Sequence, residues 1–282
     1  MVFVHSLASG CSTLSTSRLL SVQVFQSFST AFDAAFEEIW LAFSAGATLV
    51  CATAEMMKSG ADLVDTLRAL HITVLDTTPT NLGILGAPKE LPEVHTIIVG
   101  GEACPGHVVD AWQPGRRFLN TYGPTETTVV ASWAELFAGQ PVTIGKAMPH
   151  YRLSVRDEQM AEVEPGDEGE LVIGGPGVAK GYLNLPEQTQ EKFITLPGIG
   201  RCYRSGDIVK EDVEACSRTA PPHPAAQLQP AAPPPSSLGT CAVRRATSCT
   251  LAERMHRSRS VAIVLSSRTS RRISRAWAAR SR

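Results

Sequence analysis

Beyond Lys210 the chain has no lysine, and beyond Cys216 it has a single acid, Glu253. Twelve arginines and that one acid give residues 217–282 a net charge of +11. In residues 1–216, 14 Lys and Arg stand against 26 Asp and Glu, a net −12. The formal charge of −1 therefore conceals two differently composed segments. Long apolar runs are lacking too. The longest, Ile39–Ala54, includes Ser44, Gly46 and Thr48 and falls short of the roughly 20 residues a spanning helix needs, which argues against a membrane role. No basic stretch precedes an apolar run at the N-terminus, which argues against a secretory signal. The Ser/Thr-rich, acid-free leader leaves a transit peptide or an unrelated leader open. Seven cysteines form no CxxC pair, so neither a zinc site nor a disulfide frame is indicated. Cys51, Cys104 and Cys202 sit among apolar residues and are expected to be buried thiols in a reducing compartment, the cytoplasm.

What is present is a globular composition, 43% apolar over 282 residues, with room for a sizeable core. Residues 22–141 alternate the two periodicities. Ala34–Ser44 has Phe36, Ile39, Trp40 and Phe43 at helical spacing, and Gly60–Leu70 repeats the pattern with Leu63, Val64, Leu67 and Leu70. Ala47–Ala52, Ile72–Leu75, His95–Val99 and Arg117–Tyr122 read as strands, with helical turns at Pro79 and Pro105–Trp112. This order predicts an α/β unit with a largely parallel sheet, whose ligands lie beyond the carboxyl ends of the strands. Residues 142–212 carry short strands, Leu153–Asp157, Gly169–Gly174 and Cys202–Val209, between Gly/Pro/acid turns. They predict a small antiparallel, barrel-like unit. Residues 213–282 are rich in Pro, Ala, Arg and Ser without sustained period, and disorder is expected there.

The stretch Asn120-Thr121-Tyr122-Gly123-Pro124-Thr125-Glu126-Thr127-Thr128 carries the most chemistry. A strand ends in a Gly-Pro turn and then offers hydroxyls and one carboxylate. Thr125 can donate to a phosphate oxygen, Glu126 can hold Mg²⁺ through a hard oxygen ligand, and Tyr122 can lie against a base. Thr125 can equally cap a helical turn. Asp33 opens the first amphipathic helix, where it can cap the helix or offer its carboxylate to a ligand. Asp207 follows Gly206 and fits an ordinary turn as well as a ligand contact. His5, His71, His95, His107 and His150 have no mutual ligand spacing, and Glu158, Glu162, Glu164, Asp167 and Glu168 read as a solvated face.

The whole nonamer resembles the core motif of the adenylate-forming (AMP-binding) superfamily, in particular the amino-acid adenylation domains of nonribosomal peptide synthetases. Four further stretches are similar in order and spacing: Phe32–Trp40, Gly100-Gly101-Glu102, Gly169–Leu183 and Tyr203-Arg204-Ser205-Gly206-Asp207. The resemblance covers about residues 22–212. It implies ATP and Mg²⁺ as reactants, an acyl-adenylate as product, and transfer to the phosphopantetheine thiol of a separate carrier protein. It places Thr125 and Glu126 at the reacting phosphate, with Glu126 as the metal ligand. Gly100, Gly101, Glu102, Asn120, Thr121, Tyr122, Gly123 and Asp207 would border the nucleotide, Asp207 at the ribose hydroxyls. Asp33 would bind the substrate's α-ammonium. Ala34, Glu37, Asp76, Ile98, Val129 and Val130 would line the side-chain pocket. Two acids beyond Asp33 favour a basic amino acid, because buried carboxylates need a cation. An acyl-CoA synthetase is the alternative ligase, but a simple fatty acid has no use for an anion at Asp33.

The chain departs from that family in three places. The Gly/Ser/Thr-rich phosphate loop is absent, as is the first half of the large domain. No lysine follows Asp207 except Lys210, and no lid domain with a catalytic lysine is recognisable. The chain is therefore expected to be an inactive fragment. The alternative is a non-catalytic binding protein, with a residual nucleotide site or an Arg-rich tail for nucleic acid. Against such a tail, the last 66 residues hold one aromatic for stacking, Trp277. Translation in a wrong frame or through an intron accounts for their bias better than such a tail does.

Overall fold

The computed structural model describes residues 22–58, 60–212 and 262–265. The expectations for the leader, and for the tail outside 262–265, fall on residues outside these.

Seven strands form the first sheet, in the order β2-β1-β3-β4-β5-β6-β7. They are β1 (Gln23–Gln26), β2 (Thr48–Cys51), β3 (Val74–Thr77), β4 (Thr96–Val99), β5 (Arg117–Tyr122), β6 (Ser132–Glu135) and β7 (Lys146–Ala147). The first five in spatial order are parallel, and β6 and β7 add an antiparallel edge. Helix α1 (Ala34–Ala45) connects β1 to β2. Helices α2 (Ala54–Lys58) and α3 (Gly60–Ala69) lead to β3, α4 (Pro79–Ile84) to β4, and α5 (Gly106–Trp112) to β5. The pleat sorts the strand residues onto two faces. Phe25, Leu75, Ile97 and Phe118 pack under α3, α4 and α5 with Leu67, Leu82 and Trp112. Val24, Val74, Ile98 and Leu119 pack with Leu41 and Ala42 of α1.

The second sheet is antiparallel, in the order β10-β11-β9-β8 with β12 also paired to β11. Its strands are β8 (Arg152–Arg156), β9 (Glu168–Gly174), β10 (Phe193–Leu196), β11 (Gly200–Asp212) and β12 (Ala262–Leu265). Helix α6 (Pro186–Lys192) precedes β10. The expected strand at Cys202–Val209 is the middle of a 13-residue strand, bulged between Arg204 and Ile208. β12 lies in the segment expected to be disordered, and its four residues pair with Val209–Asp212.

The apolar stripe of α1 does not face the core: Phe36, Trp40 and Phe43 are 54%, 55% and 60% exposed. The buried face is Ala35, Glu37, Glu38, Leu41 and Ala42. Cys202 is buried as expected, whereas Cys104 is half-buried and Cys51, on edge strand β2, is exposed. Among the described residues no helix is long and apolar enough to cross a membrane.

Candidate functional site

The strand order reverses between β1 and β3, the position where doubly wound sheets open a crevice beyond their carboxyl ends. A cavity of about 500 Å³ lies there. Segments following β1, β3, β4 and β5 build its wall, and β11 closes it with Tyr203, Ser205 and Asp207. Six acids line it, Asp33, Glu37, Asp76, Glu102, Glu126 and Asp207, and among the described residues no Lys, Arg or His does.

Three of these acids form one end. Asp33 occupies the N-cap position of α1, yet its side chain makes no capping hydrogen bond. One turn on, Glu37 faces inward. Asp76 aligns with Ile98 in β4, which puts its side chain on the α1 face of the sheet. Asp33 Oδ2, Glu37 Oε1 and Asp76 Oδ2 are buried without a hydrogen-bond partner. Burial pushes Glu37 up to about 8, and the charges of Glu38 and Asp33 add to it. Asp76 is raised well above the usual carboxylate range by burial, then by Glu37 and Glu38. Ala34 and Val129 share this wall. Val129 is held at φ 66° directly after Thr128 at φ 63°, a strained pair of β-branched residues of the kind found beside functional sites.

Two expected pocket residues are elsewhere. Ile98 is 1% exposed and packs in the core beneath α1, because its neighbours Val24, Val74 and Leu119 leave it no open side. Val130 turns toward a second groove of about 760 Å³, shared with Phe36, Trp40 and Met148.

The other end gathers the motif residues. Gly100 sits where an added Cβ would stand 2.7 Å from Thr121 Oγ1, so only glycine lets β4 exit this close to β5. Gly101 is left-handed at φ 76°. Glu102 accepts from the backbone and hydroxyl of Thr80. Asn120 donates its amide to the Thr143 carbonyl at 2.8 Å, and Thr121 donates its hydroxyl to that of Val99 at 3.3 Å. These two thus brace the wall that they line. After Gly123 and Pro124, a short 3₁₀ turn (Thr125–Thr127) presents Thr125 exposed at the mouth and Glu126 half-buried. Thr125 does not cap that turn; Pro124 occupies the N-cap position and Thr127 bonds back to its carbonyl. Tyr122 donates its hydroxyl to Asp207 Oδ2 at 2.5 Å. Burial first, then the Asp207 charge, raises that phenol.

Sequence reasoning passed over three participants. Glu38 is fully buried and accepts from the Ser27 and Phe28 backbone N–H groups and from Gln26 Nε2, which ties the end of β1 to α1. Tyr182 donates to Glu126 Oε1 at 2.5 Å, and Tyr203 stands 3.3 Å from the Tyr182 hydroxyl. The tyrosines belonged to the quoted motif stretches, but no spacing rule could have paired Tyr182 with an acid 56 residues away.

Comparison with known proteins agrees with this geometry. The family described as AMP-binding enzyme matches residues 1–183. The delta-poly-L-ornithine synthetase of Acinetobacter baumannii is 45% identical over 196 residues, 67% of this chain and 15% of the synthetase. The Vibrio cholerae adenylation domain AlmE, solved with glycyl-adenosine-5'-phosphate, superposes with a TM-score of 0.61 at 28% identity over 67% of this chain and 38% of that one. A four-domain nonribosomal peptide synthetase solved with AMP and glycine gives 0.61 at 32% identity, over 74% of this chain and 16% of that one. The chain thus spans only a part of each relative, and it belongs to the AMP-binding enzyme family, alongside the adenylation domains of nonribosomal peptide synthetases.

Proposed function

We propose that this chain carries the amino-acid pocket and the adenosine side of an ATP-dependent amino-acid adenylation site, and that its amino acid is basic. The observation that carries the substrate class is the group of Asp33, Glu37 and Asp76. Three carboxylates with buried, unpartnered oxygens share one cavity end with no basic residue on its wall. An isolated buried carboxylate is costly and is offset by a paired cation. One ammonium of a diamino acid answers Asp33, and a second answers Glu37 and Asp76. The relative named for ornithine supports the reading. A neutral amino acid supplies only one cation and leaves the other acids protonated.

At the far end Asp207, a bidentate acceptor, would take the ribose hydroxyls, Tyr122 and Gly101 the adenine, and Thr125 the α-phosphate. Glu126 is a hard oxygen donor on the wall, which fits Mg²⁺ carried in by the nucleotide; with Thr125 it would hold the ion. Bound there, Mg²⁺ would neutralise phosphate charge that a cavity lined by six acids otherwise repels. The acyl-adenylate would pass to a carrier-protein thiol, the partner of the longer relatives' chemistry.

Calorimetric titration of the 282-residue chain with ornithine, lysine, leucine and glutamate tests the substrate class. Ornithine or lysine should bind at least ten-fold more tightly than leucine. Glu37→Gln together with Asp76→Asn should abolish that preference. Equal affinities, or a preference untouched by the double variant, would end the proposal.

A further inference from the structure

Two tyrosine–carboxylate pairs cross between the sheets in opposite directions. Tyr122, at the end of β5, reaches Asp207 in β11. Tyr182, which follows β9, reaches back to Glu126 after β5. Asp207 and Glu126 are therefore each held by a phenol from the other sheet's side of the molecule.

The Tyr182 side of this exchange is built with care. Its segment is clipped to the Glu126 turn by Ala179 N–H donating to the Glu126 carbonyl at 2.8 Å. Thr128 donates to the Gly177 carbonyl at 2.7 Å. The Tyr182 N–H donates to Thr189 Oγ1 at 2.9 Å. Gly181, at φ 144°, allows this approach, since an added Cβ would collide with the Thr189 side chain. The Tyr182 ring stands edge-on to Phe193 at 5.4 Å, and Phe193 packs on Tyr203 at 5.1 Å. These contacts hold ring and backbone, and the hydroxyl donates to Glu126 Oε1 at 2.5 Å with the Tyr203 hydroxyl as its other neighbour at 3.3 Å.

We propose that Tyr182 is a positioning residue for Glu126, holding its carboxylate in one orientation on the cavity wall so that it can meet a divalent cation borne by a nucleotide. A hydrogen bond to an ionised acceptor is about twice as strong as a neutral one. Partners of this kind behind a metal ligand change metal affinity by about 10–100-fold. The inference rests on the adenylation reading, and goes beyond it in giving a role to a residue that does not itself line the cavity.

The test is an NMR titration of the 282-residue chain with AMP alone and with ATP plus Mn²⁺, the ion's line broadening reporting its site. In Tyr182→Phe the affinity for Mn²⁺–ATP should fall about ten-fold, while that for AMP should stay within two-fold. Tyr182→Phe combined with Tyr203→Phe closes the route by which the neighbouring hydroxyl could take over, and should fall at least as far. An equal loss for AMP and Mn²⁺–ATP would make Tyr182 a structural support only and overturn the proposal. So would unchanged Mn²⁺–ATP binding in the double variant. Wild-type chain that binds AMP but shows no broadening near Glu126 with ATP plus Mn²⁺ would remove the metal role, and with it the proposal. Failure to bind either nucleotide would instead sink the adenylation reading on which it stands.

Discussion

Tyr122 and Asp207 lie 85 residues apart and share a 2.5 Å hydrogen bond, with the tyrosine donating. The contact joins β5 of the first sheet to β11 of the second, at the cavity where the two meet. Ser205 reinforces it, donating to the Leu171 carbonyl and accepting from the Asp207 N–H. Removing the phenol in Tyr122→Phe leaves the ring's packing intact and takes one donor from a carboxylate. The expected loss is about 1.5–3 kcal/mol, the range for hydrogen bonds to charged groups, toward the lower end because Asp207 is half-buried. Urea unfolding at pH 7 would measure it. A loss below about 0.5 kcal/mol would show that the contact contributes nothing to joining the sheets.

The acid cluster should make stability fall as pH rises. Glu37 has an ordinary value of 4.5 and a folded value of about 8, and Asp76 moves in the same direction. Between about pH 4.5 and 8 the folded chain therefore binds more protons than the unfolded chain. Stability declines with pH across that window. Thermal midpoints taken from pH 5 to pH 9 should drop by several degrees, and Glu37→Gln should flatten the slope and raise the midpoint at pH 8. A profile that rises with pH would contradict the burial of these groups.

Ornithine binding should carry the opposite pH dependence. A dication is met best by ionised carboxylates, so affinity should increase from about pH 6 to about pH 8, with proton release on binding. Titrations in two buffers of different ionisation enthalpy would count those protons. Affinity independent of pH would mean that Glu37 and Asp76 do not contact the ligand's second ammonium.

Purified chain should show no amino-acid-dependent pyrophosphate exchange. Among the described residues the cavity wall supplies no Lys, Arg or His to a triphosphate, and its six acids repel one. Exchange above background that disappears in Glu126→Ala would refute this expectation and show a working active site in these 282 residues.

The exposed stripe Phe36, Trp40 and Phe43 on α1 adjoins the second groove. Apolar patches of this kind mark association surfaces or aggregation liabilities. Replacing all three by Gln, Lys and Glu respectively should lower dye binding and concentration-dependent association. Monomer stability should change little, by about 0.5 kcal/mol per site. Unchanged association would place the sticky surface elsewhere.

Periodicity and turn residues alone locate most elements of the first sheet. Arg117–Tyr122 is a strand to the residue, and Ala34–Ala45 a helix to within one. Local pattern is enough there, because helices and strands are set by neighbours along the chain. The short strands β1, β6, β7 and β10 have little pattern of their own and exist through their partners. The motif stretches likewise predict which residues stand near one cavity: fifteen of the seventeen candidates line it. A β-α-β order dictates that the carboxyl ends of its strands converge.

Tertiary structure alone decides the orientation of those side chains. The spacing of Phe36, Trp40 and Phe43 gives a stripe but cannot say whether it faces in, and the structure turns Glu37 and Glu38 inward instead. Ile98 alternates correctly along β4, yet its position within the sheet buries it in the core rather than at the cavity. Whether Asp33 caps its helix or stays open depends on backbone angles that composition does not encode. The pairs Tyr122–Asp207 and Tyr182–Glu126 depend on how two sheets come together. A sequence read by itself determines local conformation and a list of reactive groups; which groups meet, and which charges are left buried together, follows from packing over long separations.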